Sequence, residues 1–305
     1  MLLSFIVPVF NNASAFAECY VSLRPLVEAG KAEVVVVDDG SDIPPSEGRG
    51  IRLVRRPHCG AAAARNAGIE AAQGKYLWFV DADDVICTDG IECLIDDLES
   101  LPDDLQFFHI GAMMTQEDEK TPVNNHPSTI NPQLTTSKSP LSLVVPHGSV
   151  TDHTTNIIRG SWLKEHPELR YPEYMSLLED TVFCLNVVEA AERCLCNDSY
   201  HFYVRRVYHP SSTSGLWSAG RSSRFTDDIC SFFTFLRNYA DRHTDSTVPA
   251  FYDRMRYVYL RVVAVKGCPY SDLQRLMEIV GKPRKCPLFI YRFIAFLCRT
   301  LRPKR

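Results

Sequence analysis

The chain has 305 residues, 45% of them hydrophobic, with ordinary glycine and proline content; this suffices for one large domain or two smaller ones and excludes wholesale disorder. The formal net charge is -4, but eight basic and no acidic residues lie between Lys282 and Arg305, leaving 25 basic against 37 acidic residues before them. So acidic a body excludes nucleic acid as the expected partner.

The apolar start "MLLSFIVPVFNN" lacks a charged leader and a small-residue cleavage site, so it predicts a first strand rather than a signal peptide. From Ala13 onward Phe16, Cys19, Tyr20 and Leu23 share a helical face, with Pro25 ending or kinking that helix. "EVVVV" (33–37) predicts a strand buried on both faces, and "IRLV" a third strand. "GAAAARNAGIEAAQG" predicts a helix capped by Gly74; "KYLWFV" predicts a fourth strand, followed by a helix near 89–98. This alternation implies an α/β fold with a mostly parallel sheet between helices. The polar stretch from Thr115 to Pro140 reads as a functional loop or an insertion. "TTNIIRGSWLKEH", a helix behind Glu179 and a strand in "HFYVRRVY" follow, and after about Gly215 the pattern is mainly helical. There are 11 cysteines and no CxxC pair; Cys194 and Cys196 alternate on a strand. Reduced, mostly buried thiols and a cytosolic chain are expected.

Parallel sheets bind ligands at the carboxyl ends of their strands, and acidic groups stand at two such ends. Asp38, Asp39 and Asp42 follow one strand; Asp81, Asp83 and Asp84 follow another. Each group can cap a turn, with Gly40 free to adopt positive φ in "DDGS". Each can also serve a nucleotide, through a divalent cation at Asp81–Asp84 and acceptors for sugar or base at Asp38 and Asp39. Arg65, on the alanine-rich helix, could contact a diphosphate or steady the acids by an ion pair. Glu179 and Asp180 open a helix, where acids are favoured for capping, and either could be a general base.

In order, "SFIVPVFNN", "VVVVDDGSD", "GAAAARNAGIEAAQGKYLWFVDADD", "NIIRGSWL", "LLEDTVF" and "YVRRVYHPSSTS" resemble the inverting, nucleotide-sugar-dependent glycosyltransferases of family 2. Such enzymes have a GT-A fold and serve bacterial surface-polysaccharide synthesis. The resemblance covers about Leu2 to Thr213. It implies a Rossmann-like, mixed and mostly parallel sheet flanked by helices, with a helical C-terminal region. The expected segments are 1–214 for the catalytic domain (1–112 nucleotide-binding, 113–214 acceptor-side), 215–281 helical and 282–305 a basic amphipathic tail. It also implies a sugar transferred from a nucleoside-diphosphate sugar, a UDP-sugar by default, of hexosyl or N-acetylhexosaminyl type, to a glycan or lipid-linked hydroxyl. Pro8 and Phe10 would line the base pocket, Asp38 or Asp39 would contact base or ribose, and Arg65 would sit near the nucleotide. Asp81 and Asp83 match the DxD motif. One acid of that turn would bind ribose while Asp83 with Asp84 would hold Mg²⁺ or Mn²⁺ against the diphosphate. Asp180, with Glu179 beside it, matches the proposed base; Arg205, Arg206 and Ser211 fall near the late motif.

In the tail, Lys285, Arg292 and Arg299 recur every seven residues on an otherwise apolar helix too short to span a bilayer. That pattern predicts an interfacial helix on an anionic membrane, hence a peripheral enzyme on the inner face of the plasma membrane; the alternative is a helix packed on the domain. A sugar nucleotidyltransferase is disfavoured because "PVFNNAS" has no glycine-rich basic phosphate loop. A non-catalytic nucleotide-sugar scaffold remains as the second class, separable by turnover, and the helical region could instead serve oligomerisation.

Overall fold

The computed structural model describes residues 1–111, 114–116, 151–197, 200, 202–206, 225–243, 248–249, 251–253, 255 and 270–280. The polar stretch beyond Gln116, Ser211 and the tail 282–305 lie outside them. The chain forms two compact units, Met1–Tyr174 with Glu179–Val207, and Met175–Leu178 with Tyr208–Arg305.

In the first unit, β1 (Leu3–Val9), β2 (Ala32–Asp38), β3 (Ile51–Arg55) and β4 (Tyr76–Phe79) make the parallel part of a seven-stranded sheet. β1 pairs with β2 and β4, and β2 with β3. β8 (Asn156–Arg159) runs antiparallel between β4 and β6 (Phe107–His109), and β9 (Cys194–Cys196) closes the order β3-β2-β1-β4-β8-β6-β9. The sheet is therefore mixed and mostly parallel, as read from the sequence. β5 (Val85–Ile86), β7 (Met114–Gln116) and β10 (Tyr203–Arg206) form a second, three-stranded sheet around β10.

Every residue of β2 is buried, which is why its valine run has no alternation. Pro8 pairs with Val37 beyond the end of the β4 ladder at Ile6, so its missing amide does not interrupt that pairing. Helices α1 (Ala13–Glu28), α2 (Ala61–Ala71), α3 (Glu92–Ser100), α4 (Gly160–Glu165) and α5 (Glu179–Ala190) complete this unit. Its core joins Phe5 and Trp78, ring centroids 5.5 Å apart, to Phe16, Leu23, Leu94 and Phe108.

Two expectations need correction. Pro25 does not end α1, which runs on to Glu28; the proline falls in the last turn, where one missing N–H costs a single helical bond. Gly74 is not the cap of α2, which ends at Ala71 with Ala72 as its cap. Gly74 instead passes against β1: its amide donates to Ser4 Oγ at 2.7 Å, and a Cβ there would lie 2.5 Å from the Ser4 nitrogen. Since the obstacle is backbone, Gly74→Ala is expected to cost about 1–3 kcal/mol in urea unfolding. A loss under about 0.5 kcal/mol, the scatter of surface substitutions, would mean that β1 yields to the methyl group.

In the second unit, α6 (Phe225–Arg242) buries Ile229, Phe232, Phe233, Leu236 and Tyr239. Asp228 on α6 accepts from the Ser176 hydroxyl at 2.6 Å, and Arg275 of α7 (Tyr270–Val280) reaches Asp227 at 2.6 Å. Among the described residues no helix is long and apolar enough to cross a membrane.

Candidate active site

β1, β2 and β4 run in parallel, so the segments after Val9, Asp38 and Phe79 leave one edge of the sheet together. The first two are cross-tied. The Asn11 amide donates to Ser41 Oγ at 2.8 Å, and Asn11 Oδ1 accepts from the Asp42 amide at 2.9 Å. Gly40 has φ +84°, the left-handed geometry its turn requires.

Asp38 and Asp39 are buried and internally satisfied. Asp38 accepts from the Ser41 amide at 3.0 Å and Arg55 Nε at 3.1 Å. Burial alone would raise its carboxyl, but the Ser41 and Arg55 bonds outweigh it and hold the pKa below the usual value. Asp39 accepts from the Cys59 and Gly60 amides at 3.1 and 2.7 Å, and His58 Nδ1 lies 2.8 Å from its Oδ2. These contacts fasten the loop before α2 to the end of β2. Phe10, 44% exposed, stacks on His58 with centroids 3.9 Å apart and planes 22° off parallel. This leaves a flat aromatic surface at the sheet edge.

Arg65 is buried and bonds two acids at once, Asp81 Oδ1 through Nη2 and Glu179 Oε1 through Nη1, each at 2.9 Å. Its guanidinium carbon lies 5.4 Å from the Tyr171 ring centre, and that ring stacks on Phe183 at 3.9 Å. Of the two roles open to Arg65, the structure therefore displays the steadying one. Burial would raise the Asp81 carboxyl, but Arg65 and His153 hold it well below the carboxylate range.

The three acids after β4 are thus not equivalent. Asp84 is buried, and both its oxygens are engaged: Oδ2 accepts from the Tyr203 hydroxyl at 2.6 Å and Oδ1 from the Arg206 amide at 2.9 Å. The same hydroxyl accepts from the Asp81 amide at 3.1 Å. Burial, with the nearby Asp81 charge, pushes the Asp84 pKa up to about 7 against these bonds. Asp84 stitches the turn to β10, and Asp83 is half-buried at the turn beside it. Clustered carboxylates of this kind are the donor chemistry that suits a hard cation.

Glu179 and Asp180 form the first turn of α5, directly after Leu178, whose φ of 63° is unusual for a bulky residue. Asp180 Oδ1 accepts from the Thr181 amide at 2.7 Å. Burial, then the charge of Glu179, push its pKa up to about 6. Arg205 Nη2 reaches Asp152 Oδ2 at 3.1 Å, while the Arg206 guanidinium pairs with Glu18.

The sequence reading missed His153. It sits in a 3-10 turn (His153–Thr155) before β8, with Nε2 3.7 Å from Asp81 Oδ1 and Nδ1 3.9 Å from Asp180 Oδ2. One imidazole thus separates the acids after β4 from the acid opening α5. Ligand atoms of Asp152, His153 and Asp180 lie within 4.8 Å of one another. "TDHTT" carries a capping signal in Asp152, but nothing in it marks the histidine.

Known proteins resemble this chain in sequence and in fold. The profile of glycosyl transferase family 2 matches residues 4–151. An uncharacterized glycosyltransferase of Bacillus subtilis (strain 168), EpsJ, is 28% identical over 231 residues, 70% of this chain and 63% of EpsJ. A poly(ribitol-phosphate) beta-glucosyltransferase of Bacillus spizizenii is 26% identical over 214 residues, 67% of this chain. The alignment spans only 32% of that enzyme's length. The crystal structure of S. aureus TarS 1–349 in complex with UDP-GlcNAc superposes with a TM-score of 0.59. It covers 100% of this chain and 93% of TarS 1–349 at 15% identity, a likeness of fold. Residues 4–151 thus carry a glycosyl transferase family 2 domain, on a GT-A fold.

Proposed function

We propose that the protein transfers a sugar from a nucleoside-diphosphate sugar, a UDP-sugar of hexosyl or N-acetylhexosaminyl type, to an acceptor hydroxyl with inversion. The observation that carries this reading is the convergence at His153: the DxD acid Asp81 and the helix-opening acid Asp180 face the same imidazole from 3.7 and 3.9 Å. In this reading donor and base functions face each other across one small gap. The family 2 domain and the UDP-GlcNAc complex of the TarS fold neighbour support the donor class.

In this reading the Phe10–His58 surface takes the base beside Pro8, with Asp38 and Asp39 shaping the loops around base and ribose. Asp81 serves the ribose side, held in place by Arg65. Asp83 would hold Mg²⁺ or Mn²⁺, with Asp84 fixing the turn; a bound cation there supplies positive charge against the leaving diphosphate. Arg205, the half-exposed cation beside Asp152, is the side chain we assign to the diphosphate; Arg206 is tied elsewhere. Asp180 takes the proton from the acceptor hydroxyl as its oxygen bonds the anomeric carbon. The bond from that carbon to the diphosphate breaks, and the nucleoside diphosphate leaves. A single displacement of this kind needs no enzyme nucleophile, and Glu179 acts by anchoring Arg65.

The acceptor is a glycan or lipid-linked glycan of surface-polysaccharide synthesis, in keeping with the polymer-directed name of the Bacillus spizizenii relative. The eight cations of 282–305 support a cytoplasmic enzyme docked on an anionic membrane.

The test is a thermal shift of the full chain against UDP, dTDP and GDP, each with and without Mn²⁺. A native-state ligand at a hundred times its Kd adds about 2.7 kcal/mol. UDP with Mn²⁺ is expected to give the largest shift, and Asp83→Asn to remove the metal-dependent part. No shift with any nucleotide would return these acids to capping duties and sink the proposal.

A further inference from the structure

His153 packs its ring but spends neither nitrogen on a hydrogen bond among the described residues. Its side chain is 4% exposed, and neither ring nitrogen has a hydrogen-bond partner among the described residues. Leaving buried polar atoms unpaired is costly, and a phenylalanine would fill the same space without that cost. Yet the turn is held firmly. The Trp78 indole donates to the Thr154 carbonyl at 2.7 Å. Asp152 Oδ1 accepts from the Thr154 amide and hydroxyl at 3.0 and 2.6 Å. Asn156 Nδ2 donates to the Asp152 carbonyl at 2.9 Å. Phe79 and Tyr171 set their ring planes nearly perpendicular to the imidazole, centroids 5.9 and 5.8 Å away. The ring is therefore fixed with one nitrogen toward each carboxylate.

We propose that His153 is a positioning residue that bridges Asp81 on the donor side to Asp180 on the acceptor side, holding the base in its working orientation. This rests on the transfer reading above. The gaps of 3.7 and 3.9 Å are longer than hydrogen bonds, and catalytic hydrogen bonds commonly tighten when substrate binds. Donor at Asp81 then steadies the imidazole, and the imidazole steadies Asp180. A cation shared by Asp152, His153 and Asp180 is the competing occupant of the gap. It is disfavoured because Asp152 already accepts from Thr154 and Arg205, and Asp180 Oδ1 from Thr181.

The electrostatics give a readout that packing alone would not. Asp180 is faced by Glu179 and Cys184 on its own helix, by Asp152 and His153 on the turn, by Arg65 on α2 and by Tyr171. Among these, His153 and Arg65 oppose the rise that burial and Glu179 cause. His153→Gln keeps a polar side chain but removes the imidazole that opposes the rise at Asp180, and His153→Phe keeps the ring's packing.

The experiment measures kcat, KM and the pH profile for both variants in the full chain, with UDP affinity measured separately. Positioning loss of this kind is worth about a hundredfold, so kcat should fall roughly ten- to a hundredfold. UDP affinity should stay within about threefold, less than one kcal/mol. The acid limb should move to higher pH by about one unit, the typical effect of a neighbouring charge. Unchanged kcat, or a fall with an unmoved acid limb, overturns the proposal. So does nitrogen coupling in pulsed EPR of Mn²⁺ added to wild-type protein that vanishes in His153→Gln, which would make the residue a metal ligand. Asp180→Asn separates the two levels: if it stays active, the base reading itself fails, whereas a dead Asp180→Asn with an ordinary His153→Gln removes only the bridge.

Discussion

Asp180→Asn is expected to lower kcat by about a hundred- to ten-thousandfold, the range that a positioned general base contributes, with UDP affinity nearly unchanged. Asparagine keeps the volume and can still accept from the Thr181 amide, but it cannot take a proton. The pKa adds a second signature. Since Asp180 is pushed up to about 6 and must be ionised to act, wild-type activity should fall as pH drops through 6. The residual activity of the variant should lose that limb. The stability sign runs opposite to that of an ordinary paired aspartate. A folded-state pKa above the unfolded value gives a contribution fully present below about 4 and lost as pH rises through about 6. Replacing the carboxyl therefore spares the folded state a charge it holds reluctantly at pH 8, and the variant should be at least as resistant to urea there as the parent. An inactive variant that is also markedly less stable would be misfolded rather than chemically disarmed. One that keeps most of its kcat would show that another group takes the proton.

The largest stability effect is expected at Arg65. Its guanidinium is the shared partner of Asp81 and Glu179, so Arg65→Met leaves two carboxylates without their common cation. Breaking a buried pair by removing one partner costs about 3–5 kcal/mol; with Asp81 partly exposed, the lower end applies here. Urea unfolding at pH 7.5 measures it, and Glu179→Gln in the Arg65→Met background should recover part of the loss. That recovery is the coupling a double-mutant cycle isolates. A cost under about 1 kcal/mol would place Arg65 with ordinary surface pairs, worth little because water already solvates them.

The framework was readable because its signals are local. β2 reads as a buried valine run, α2 as an alanine-rich segment, and the acids after β2 and β4 as strand-end residues, each within ten or so positions. What escaped depends on distant partners. Gly74 looks like a helix cap until Ser4 is set against it, and Pro25 looks like a helix end although α1 continues beyond it. Asp84 matches a metal ligand by position, yet Tyr203 and Arg206 claim its oxygens. His153 draws its meaning wholly from Asp81 and Asp180, on elements far from it in sequence. The antiparallel insertion of β8 beside β4 carries no periodicity of its own.

The Tyr203 hydroxyl between Asp81 and Asp84 also bears on how the molecule is assembled. The turn after β4 is completed by a strand 119 residues further along, and the antiparallel ladder of β5 with β10 forms only once that strand arrives. The entropy of closing so long a loop must be met before the contact rewards it, which makes this joint a late step in folding. Residues 4–151, the segment that carries the family likeness, contain the DxD acids but not the strand that fastens them. A chain released after that segment would thus present its acids on an unfastened turn, which matures only when β10 docks.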